Sequence, residues 1–214
     1  MSRSLVEHLP APQRLALSYA STPGRSATLA LLALDARLAG LLRKRGEPVL
    51  AQVRLAWWRD TLAANRHGWP HGEPVLVLLR SWRDAAPLVA LVDGWEALLS
   101  ERLESAAIAE FASGRAAGFA QLARELACDP DPAAAAATVW ALGDLAAHLA
   151  DSAEREAVLA TAAGLATGSA LPRPLRPLAV LAGLARRSLA RGGTPLLGGR
   201  GAALVAMRLG ITGR

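Results

Sequence analysis

The chain has 214 residues, of which 52% are hydrophobic and 4% aromatic, and its net charge is +6. This length suits a single domain over residues 1–214, and the abundance of alanine and leucine predicts an all-α fold and argues against a β-sheet protein. Glu7, His8 and Pro10 argue against a secretory signal, and Cys128, the one cysteine, is unable to form an intrachain disulfide. We therefore expect a soluble, cytoplasmic protein.

Helical segments follow one another along the chain and are divided by proline and glycine. Thr22 followed by Pro23 is typical of a helix cap with a first-turn proline. Pro48, Pro74 and Pro87 open later helices in the same way. We predict helices at residues 11–20, 23–45, 48–66, 74–85, 87–103, 105–127, 132–150, 152–166, 175–191 and 200–209. No repeat of fixed period and no long linker separates them, which favours one domain.

Four of these helices carry one charged residue on an apolar face, when successive residues are placed about 100° apart. The four residues are Asp35, Arg54, Arg115 and Asp144. Because a lone buried charge is costly, they should pair with one another. We predict one ion pair between Asp35 and Arg54, whose helices are consecutive, and a second should join Arg115 to Asp144. Such a network either holds the helices in register or surrounds a ligand pocket.

Two further patterns concern packing. The helix that contains Arg54 places Trp57 and Trp58 on its apolar arc, so both tryptophans are predicted to belong to the core. Gly114 and Gly118 are four positions apart on one predicted helix, which favours close packing against a neighbouring helix.

Positive charge is concentrated in the C-terminal part of the chain. After Glu156 there are eight arginines and no acidic residue, so this part carries +8 while the whole chain carries +6. Such a field attracts an anionic lipid, a diphosphate or an acidic protein partner. We predict no nucleic-acid partner, because the arginines are sparse and no aromatic residue lies among them. A peripheral membrane contact through this basic region is one expectation, and an arginine-rich surface without a partner is the other.

One stretch resembles a known family. "LALLALDARLAGLLR" and the following "EPVLAQVRLAWWRDTL", with its "RLAWWRDTL" core, are similar to the squalene/phytoene synthase family of head-to-head prenyltransferases. Weaker similarity runs through "DGWEALL", "GRAAGFAQLA" and "WALGDLAAHLAD". The resemblance implies an isoprenoid-synthase-like bundle of antiparallel helices around a central cavity. In active members two aspartate-rich motifs hold magnesium ions, and these ions bind the substrate diphosphates.

The chain departs from the family at both motifs. The first falls on Ala39, Gly40 and Arg43, which include no carboxylate. The second falls on residues 151–155, where Asp151 and Glu154 remain and Arg155 stands in place of the last acid. The resemblance therefore implies no metal ligand, no cofactor and no catalytic residue.

Such a chain resembles the degenerate relatives of the family, which include a respiratory complex I assembly factor. We expect a non-catalytic protein that acts as an interaction or assembly factor, through a protein partner, or as a binder of an anionic or isoprenoid lipid. Arg43 is the candidate to hold a phosphate directly. The alternative is an active prenyltransferase that condenses prenyl diphosphates at an altered magnesium site.

Overall fold

The computed structural model describes residues 2–42, 48–100, 102–165 and 170–213. All regular structure in these ranges is helical, which confirms the predicted all-α class. The α-helices are α1 (Ser2–His8), α2 (Ala11–Leu17), α3 (Arg25–Leu42), α4 (Pro48–Ala63), α5 (Pro74–Leu79), α6 (Val89–Ala97), α7 (Ser105–Glu125), α8 (Pro130–His148), α9 (Ser152–Ala162), α10 (Arg176–Leu189) and α11 (Gly201–Thr212). The antiparallel arrangement around a central cavity stays a prediction.

The predicted and observed helices occupy similar parts of the chain, but their first and last residues differ. The segment predicted at 74–85 ends at Leu79, although Trp82 in the following turn is also buried. A buried apolar side chain in a turn continues the helical pattern of hydrophobicity, so the pattern extends beyond the last residue of the helix. At the N-terminus, α1 was not predicted at all.

Helix α7 lies at the centre of the packing. It contacts α6 on one side and α8 on another, and it also contacts α3; α8 in turn packs against α10, and α10 against α11. The Phe119 ring of α7 meets the Trp140 ring of α8 edge to face, with ring centroids 5.2 Å apart. The side chains of α7 therefore reach several other helices at once.

The contact between α6 and α7 is a backbone contact. A Cβ atom at Gly114 would overlap the Ala90 carbonyl oxygen and would lie 2.9 Å from the Gly94 Cα. Only glycine allows this approach. It brings Trp95 of α6 against Phe111 of α7, with ring centroids 4.9 Å apart.

The orientation of α4 corrects one prediction. Its buried side chains are those of Ala51, Leu55, Trp58 and Leu62. Trp58 is buried as predicted, whereas Trp57 is 41% exposed and does not belong to the core. The helix has apolar residues on two sides, and only one side faces α3 and α6. Periodicity alone does not show which side that is.

The next residue of α4 forms an ion-pair network with α6. Arg59 Nε donates to Asp93 Oδ1 at 2.7 Å, and its Nη2 donates to Glu96. The hydrogen bonds that Arg59 donates to these carboxylates raise the pKa of its guanidinium above the ordinary value. None of the helices in the described ranges combines the length and apolar content that a membrane crossing requires.

Candidate functional site

A cavity of about 540 Å³ lies between α3, α6, α7 and α8, with part of its wall formed by the segment that precedes α11. Most of its wall is apolar, and includes Leu98, Leu103, Leu145, Leu149, Leu196 and Leu197. Its polar wall residues are Gln13, Ser100, Arg115, Asp144, His148 and Glu154. A volume of this size falls within the range of roughly 300–1,000 Å³ found for small-molecule sites.

The Arg115 guanidinium bridges two carboxylates at the wall of this cavity. Its Nε donates to Asp35 Oδ1 at 2.9 Å and its Nη2 donates to Asp35 Oδ2 at 2.9 Å. The third nitrogen, Nη1, donates to Asp144 Oδ2 at 2.8 Å. A planar fork that meets a carboxylate at both oxygens is the strongest arrangement for this pair. We call Asp35, Arg115 and Asp144 the buried triad.

Two more donors complete the environment of Asp35. Trp95 Nε1 donates to Oδ1 at 2.9 Å and Gln13 Nε2 donates to Oδ2 at 3.1 Å. The Asp35 carboxylate thus accepts four hydrogen bonds. A proton on either oxygen would face a donor, so this geometry requires the ionised form.

Aromatic rings surround the guanidinium. The Arg115 Cζ lies 4.1 Å from the centroid of the Trp140 ring, 4.9 Å from that of Phe111 and 5.0 Å from that of Trp95. These contacts add cation–π attraction to a guanidinium that is buried. They also exclude solvent, so that Arg115 is only 1% exposed.

Burial shapes the pKa values of the triad. Burial lowers the pKa of Arg115, but Asp35 and Asp144 together outweigh it, so the pKa of the guanidinium lies above its ordinary value. For Asp35 burial is the larger effect and raises the pKa of the carboxyl, although Arg115 and its hydrogen bonds act in the opposite direction. Asp35 and Arg115 therefore each depend on an oppositely charged partner to keep their charge in the interior.

The structure brings three of the four predicted charges together. The predicted ion pair between Arg115 and Asp144 is confirmed. The predicted pair between Asp35 and Arg54 is wrong, because Arg115 and the two neutral donors occupy both oxygens of Asp35.

Arg54 instead lines a second groove of about 600 Å³ between α1, α3, α4 and α5. It is half-buried there, next to Trp57, and forms no ion pair within the described part of the chain. Arg54 does not reach Asp35, since α4 packs with the side that carries Ala51, Leu55, Trp58 and Leu62.

The residues that the family resemblance singled out are dispersed. Ala39 lines the cavity, whereas Gly40 lines the second groove. Arg43, the predicted phosphate-binding residue, lies outside the described residues.

The two acids that remain at the second motif have different roles. Asp151 is exposed and caps α9, where its Oδ1 accepts from the backbone N–H groups of Ala153 and Glu154. Glu154 lines the cavity, and its Oε1 accepts a long hydrogen bond of 3.4 Å from the backbone N–H of Leu103. Asp151 is thus occupied by a structural bond, and only Glu154 faces the site.

Within the described ranges, no three side chains of His, Cys, Asp and Glu lie close enough together to hold a metal ion. His148 comes nearest to the triad, with its Nδ1 3.5 Å from Asp144 Oδ1. The same nitrogen lies 2.7 Å from the backbone oxygen of Asp144.

Three residues of the site escaped the sequence interpretation. Trp95 and Trp140 form its aromatic wall, and Gln13 contacts Asp35 from α2. Gln13 is only 5% exposed, and a glutamine within the apolar segment "APQRLAL" was the available signal.

Comparison with known proteins finds no similar family, sequence or structure. No family model, no curated protein and no solved structure matches the chain. The resemblance to squalene/phytoene synthases stays a prediction that depends on the motifs quoted above.

Proposed function

We propose that this chain is a non-catalytic squalene/phytoene-synthase-like protein that binds an isoprenoid or a similar lipid in the cavity beside the buried triad. The observation that carries the proposal is that the Arg115 guanidinium is already bonded to carboxylates of the protein. Each of its three nitrogens already donates to Asp35 or Asp144, so the charge of this cation is paired with two carboxylates instead of being available to neutralise a substrate phosphate.

The charge of the cavity wall supports the same conclusion. Two carboxylates and one guanidinium leave the triad with a charge of −1, and Glu154 adds a second negative charge on the wall. A diphosphate that entered would meet a wall of net negative charge whose one guanidinium is already paired, so its own desolvation would remain uncompensated. An uncharged, mostly apolar ligand meets no such penalty.

Two residues of the cavity wall each carry a buried polar atom without a hydrogen-bond partner in the described part of the chain. Among the described residues, Gln13 Oε1 and Trp140 Nε1 are buried and have no hydrogen-bond partner. Gln13 Nε2 is fixed by its bond to Asp35, which leaves the amide oxygen as an open acceptor. Both residues belong to the cavity wall. Neither atom is exposed at the wall, so the class of ligand follows from the apolar surface and negative charge of the wall, which suit an uncharged prenyl alcohol better than its diphosphate.

A paired titration tests the proposal. Farnesol and farnesyl diphosphate, each with and without Mg²⁺, are added to the purified chain while tryptophan fluorescence is followed. Trp95 and Trp140 line the cavity and report its occupancy. We expect farnesol to bind roughly tenfold or more tightly than the diphosphate, with no gain from Mg²⁺. Native mass spectrometry of the purified protein should detect a co-purifying lipid.

A cavity-filling variant provides the control. Ala39→Phe places a ring in the cavity and should abolish farnesol binding, whereas Ala63→Phe on the exposed face of α4 should leave it unchanged. Equal loss in both variants, or no binding by the native chain, contradicts a site in this cavity.

The alternative, an active prenyltransferase, makes an opposite prediction. It requires Mg²⁺-dependent turnover of a prenyl diphosphate, measured by loss of diphosphate and appearance of a coupled product. Such turnover, abolished by Glu154→Gln and retained by Asp151→Asn, would replace the non-catalytic proposal.

A further inference from the structure

We infer that the exposed face of α11 is a docking surface for an anionic lipid bilayer. Apolar side chains stand in solvent on this face: Leu204 is 63% exposed, Met207 49% and Ile211 59%. At about 100° per residue these three positions fall within an arc of roughly 60°. They therefore form one stripe along the helix, which we call the α11 stripe.

Arginines flank the α11 stripe. Arg200 and Arg208 are exposed, and their positions fall within about 40° of Leu204 on the helical projection. The Arg187 side chain reaches the start of α11, where its Nε would lie 3.2 Å from a Cβ on Gly201. Arg176 lies near the C-terminal end of α11 on its buried side, where its Nε is 3.9 Å from the equivalent position on Gly213, so it does not belong to the exposed face. Positive charge is thus present at the start of the stripe, from Arg187 and Arg200, and beside it at Arg208.

In the part of the chain that the structure describes, no acidic side chain forms an ion pair with these arginines. The sequence has no Asp or Glu after Glu156. The ion pairs within the described residues lie in other parts of the chain, and none uses an arginine of α10 or α11. The surface is therefore a net positive one with an apolar centre.

This combination favours a bilayer over a protein partner. Aliphatic residues flanked by arginines are the pattern of helices that lie in the interface of an anionic membrane. Protein interfaces are enriched in tryptophan and tyrosine, and the sequence has neither after Trp140. The 12 residues of α11 correspond to a helix of about 18 Å, which can lie along a bilayer surface.

The opposite face of α11 holds the helix in place. Ala202, Ala206, Leu209 and Gly210 are buried there. Gly210 lies directly against the Tyr19 ring, where a Cβ atom would overlap the ring. Since α11 is already folded and anchored, the exposed stripe needs no conformational change to meet a membrane. This inference does not depend on the ligand proposed for the cavity.

Flotation with vesicles tests the docking surface. The full chain is mixed with vesicles of phosphatidylcholine alone or with about 30% phosphatidylserine, a composition that carries a negative surface potential. We expect binding only to the anionic vesicles, weakened by added salt. Arg200→Gln with Arg208→Gln should reduce binding about tenfold. Arg83→Gln with Arg102→Gln removes the same charge from exposed positions elsewhere and should have little effect.

The apolar contribution has its own matched control. The triple variant Leu204→Gln, Met207→Gln and Ile211→Gln should reduce anionic-vesicle binding by at least roughly tenfold, because the side chains that would enter the bilayer become polar. Val49, Val53 and Trp57 form a similarly exposed stripe on α4, with 70%, 60% and 41% exposure. The same three substitutions there should leave vesicle binding intact. Thermal unfolding of each variant checks that the fold is retained.

A fluorophore shows which helix enters the bilayer. An environment-sensitive dye on Met207→Cys, in a Cys128→Ser background, should shift to the blue with anionic vesicles, and the same dye on Val53→Cys should not. The inference is overturned if neutral vesicles bind equally well, if no vesicle binds, or if the α11 and α4 variants lose the same binding. Binding without a shift at Met207→Cys overturns it as well.

Discussion

Arg115 and Asp35 form a two-point ion pair between the middles of α7 and α3, with Nε to Oδ1 and Nη2 to Oδ2 both at 2.9 Å. The two side chains are 1% exposed, and the pair lies against the rings of Trp95, Phe111 and Trp140. Two helices that are distant in sequence are thereby fixed at one point. The same point forms part of the wall of the candidate cavity.

Arg115→Met should destabilise the fold strongly. The substitution leaves the Asp35 carboxylate buried without its cation, and breaking a buried pair in this way costs about 3–5 kcal/mol. Urea denaturation gives the free energy of unfolding. Arg54→Met is the matched control, because Arg54 is half-buried and has no ion-pair partner within the described residues. We expect it to change stability by less than about 1 kcal/mol. Equal losses in the two variants would contradict the assignment of Arg115 to the triad.

Replacing both members of the pair should be milder than the single changes suggest. In Asp35→Leu with Arg115→Met no uncompensated charge remains in the interior, and Asp144 can turn toward water because its side chain is 18% exposed. We expect a favourable coupling energy of about 1–3 kcal/mol in a double-mutant cycle measured by urea denaturation. Strict additivity would indicate that the two charges do not depend on each other.

The inward direction of the triad was predictable from sequence, but its connectivity was not. Helical periodicity placed Asp35, Arg115 and Asp144 among apolar neighbours, and each of them faces the interior or the cavity wall. Periodicity says nothing about which helices cross. Proximity in sequence favoured Arg54 as the partner of Asp35, whereas the true partner lies 80 positions away.

The orientation of α4 shows a second limit. This helix carries apolar residues on two sides, so hydrophobicity alone allows either side to face the core. The structure buries Leu55 and Trp58 and exposes Val53 and Trp57. The choice depends on contacts with α3 and α6, which no local pattern encodes. The roles of Gln13 and Trp140 in the site were not predicted for the same reason. Gln13 contacts Asp35 and Trp140 contacts Arg115, and both partners are distant in sequence.

Two glycines of α7 should respond in opposite directions to the same substitution. Gly114→Ala forces a methyl group into the backbone of α6, and overpacking of this kind costs about 1–3 kcal/mol. At Gly118 the new Cβ would meet the flexible end of Leu31 at 3.4 Å, an ordinary contact. Gly118→Ala should therefore be neutral or gain up to about 1 kcal/mol from helix propensity. Urea denaturation of both variants measures the difference, and a loss of similar size in each would refute the close contact at Gly114.

Cys128 should make stability depend on pH in the alkaline range. Burial raises the pKa of its thiol above the ordinary value of 9.0, and the thiol donates to the Leu126 carbonyl oxygen at 3.5 Å. Well below pH 9.0 the thiol is protonated in both the folded and the unfolded chain, so its full contribution is present. As the pH rises above this value, the unfolded chain loses the proton first, and the free energy of unfolding falls.

The comparison with Cys128→Ser isolates this effect, because all other titrating groups are shared. The difference in stability between the two proteins should be constant below pH 8 and should shrink above pH 9.0. Alkylation by iodoacetamide provides a second readout, since only the thiolate reacts. At pH 9 the folded chain should react more slowly than the same chain in urea. Equal rates would mean that the thiol keeps its ordinary pKa and that the packing around Leu126 does not bury it.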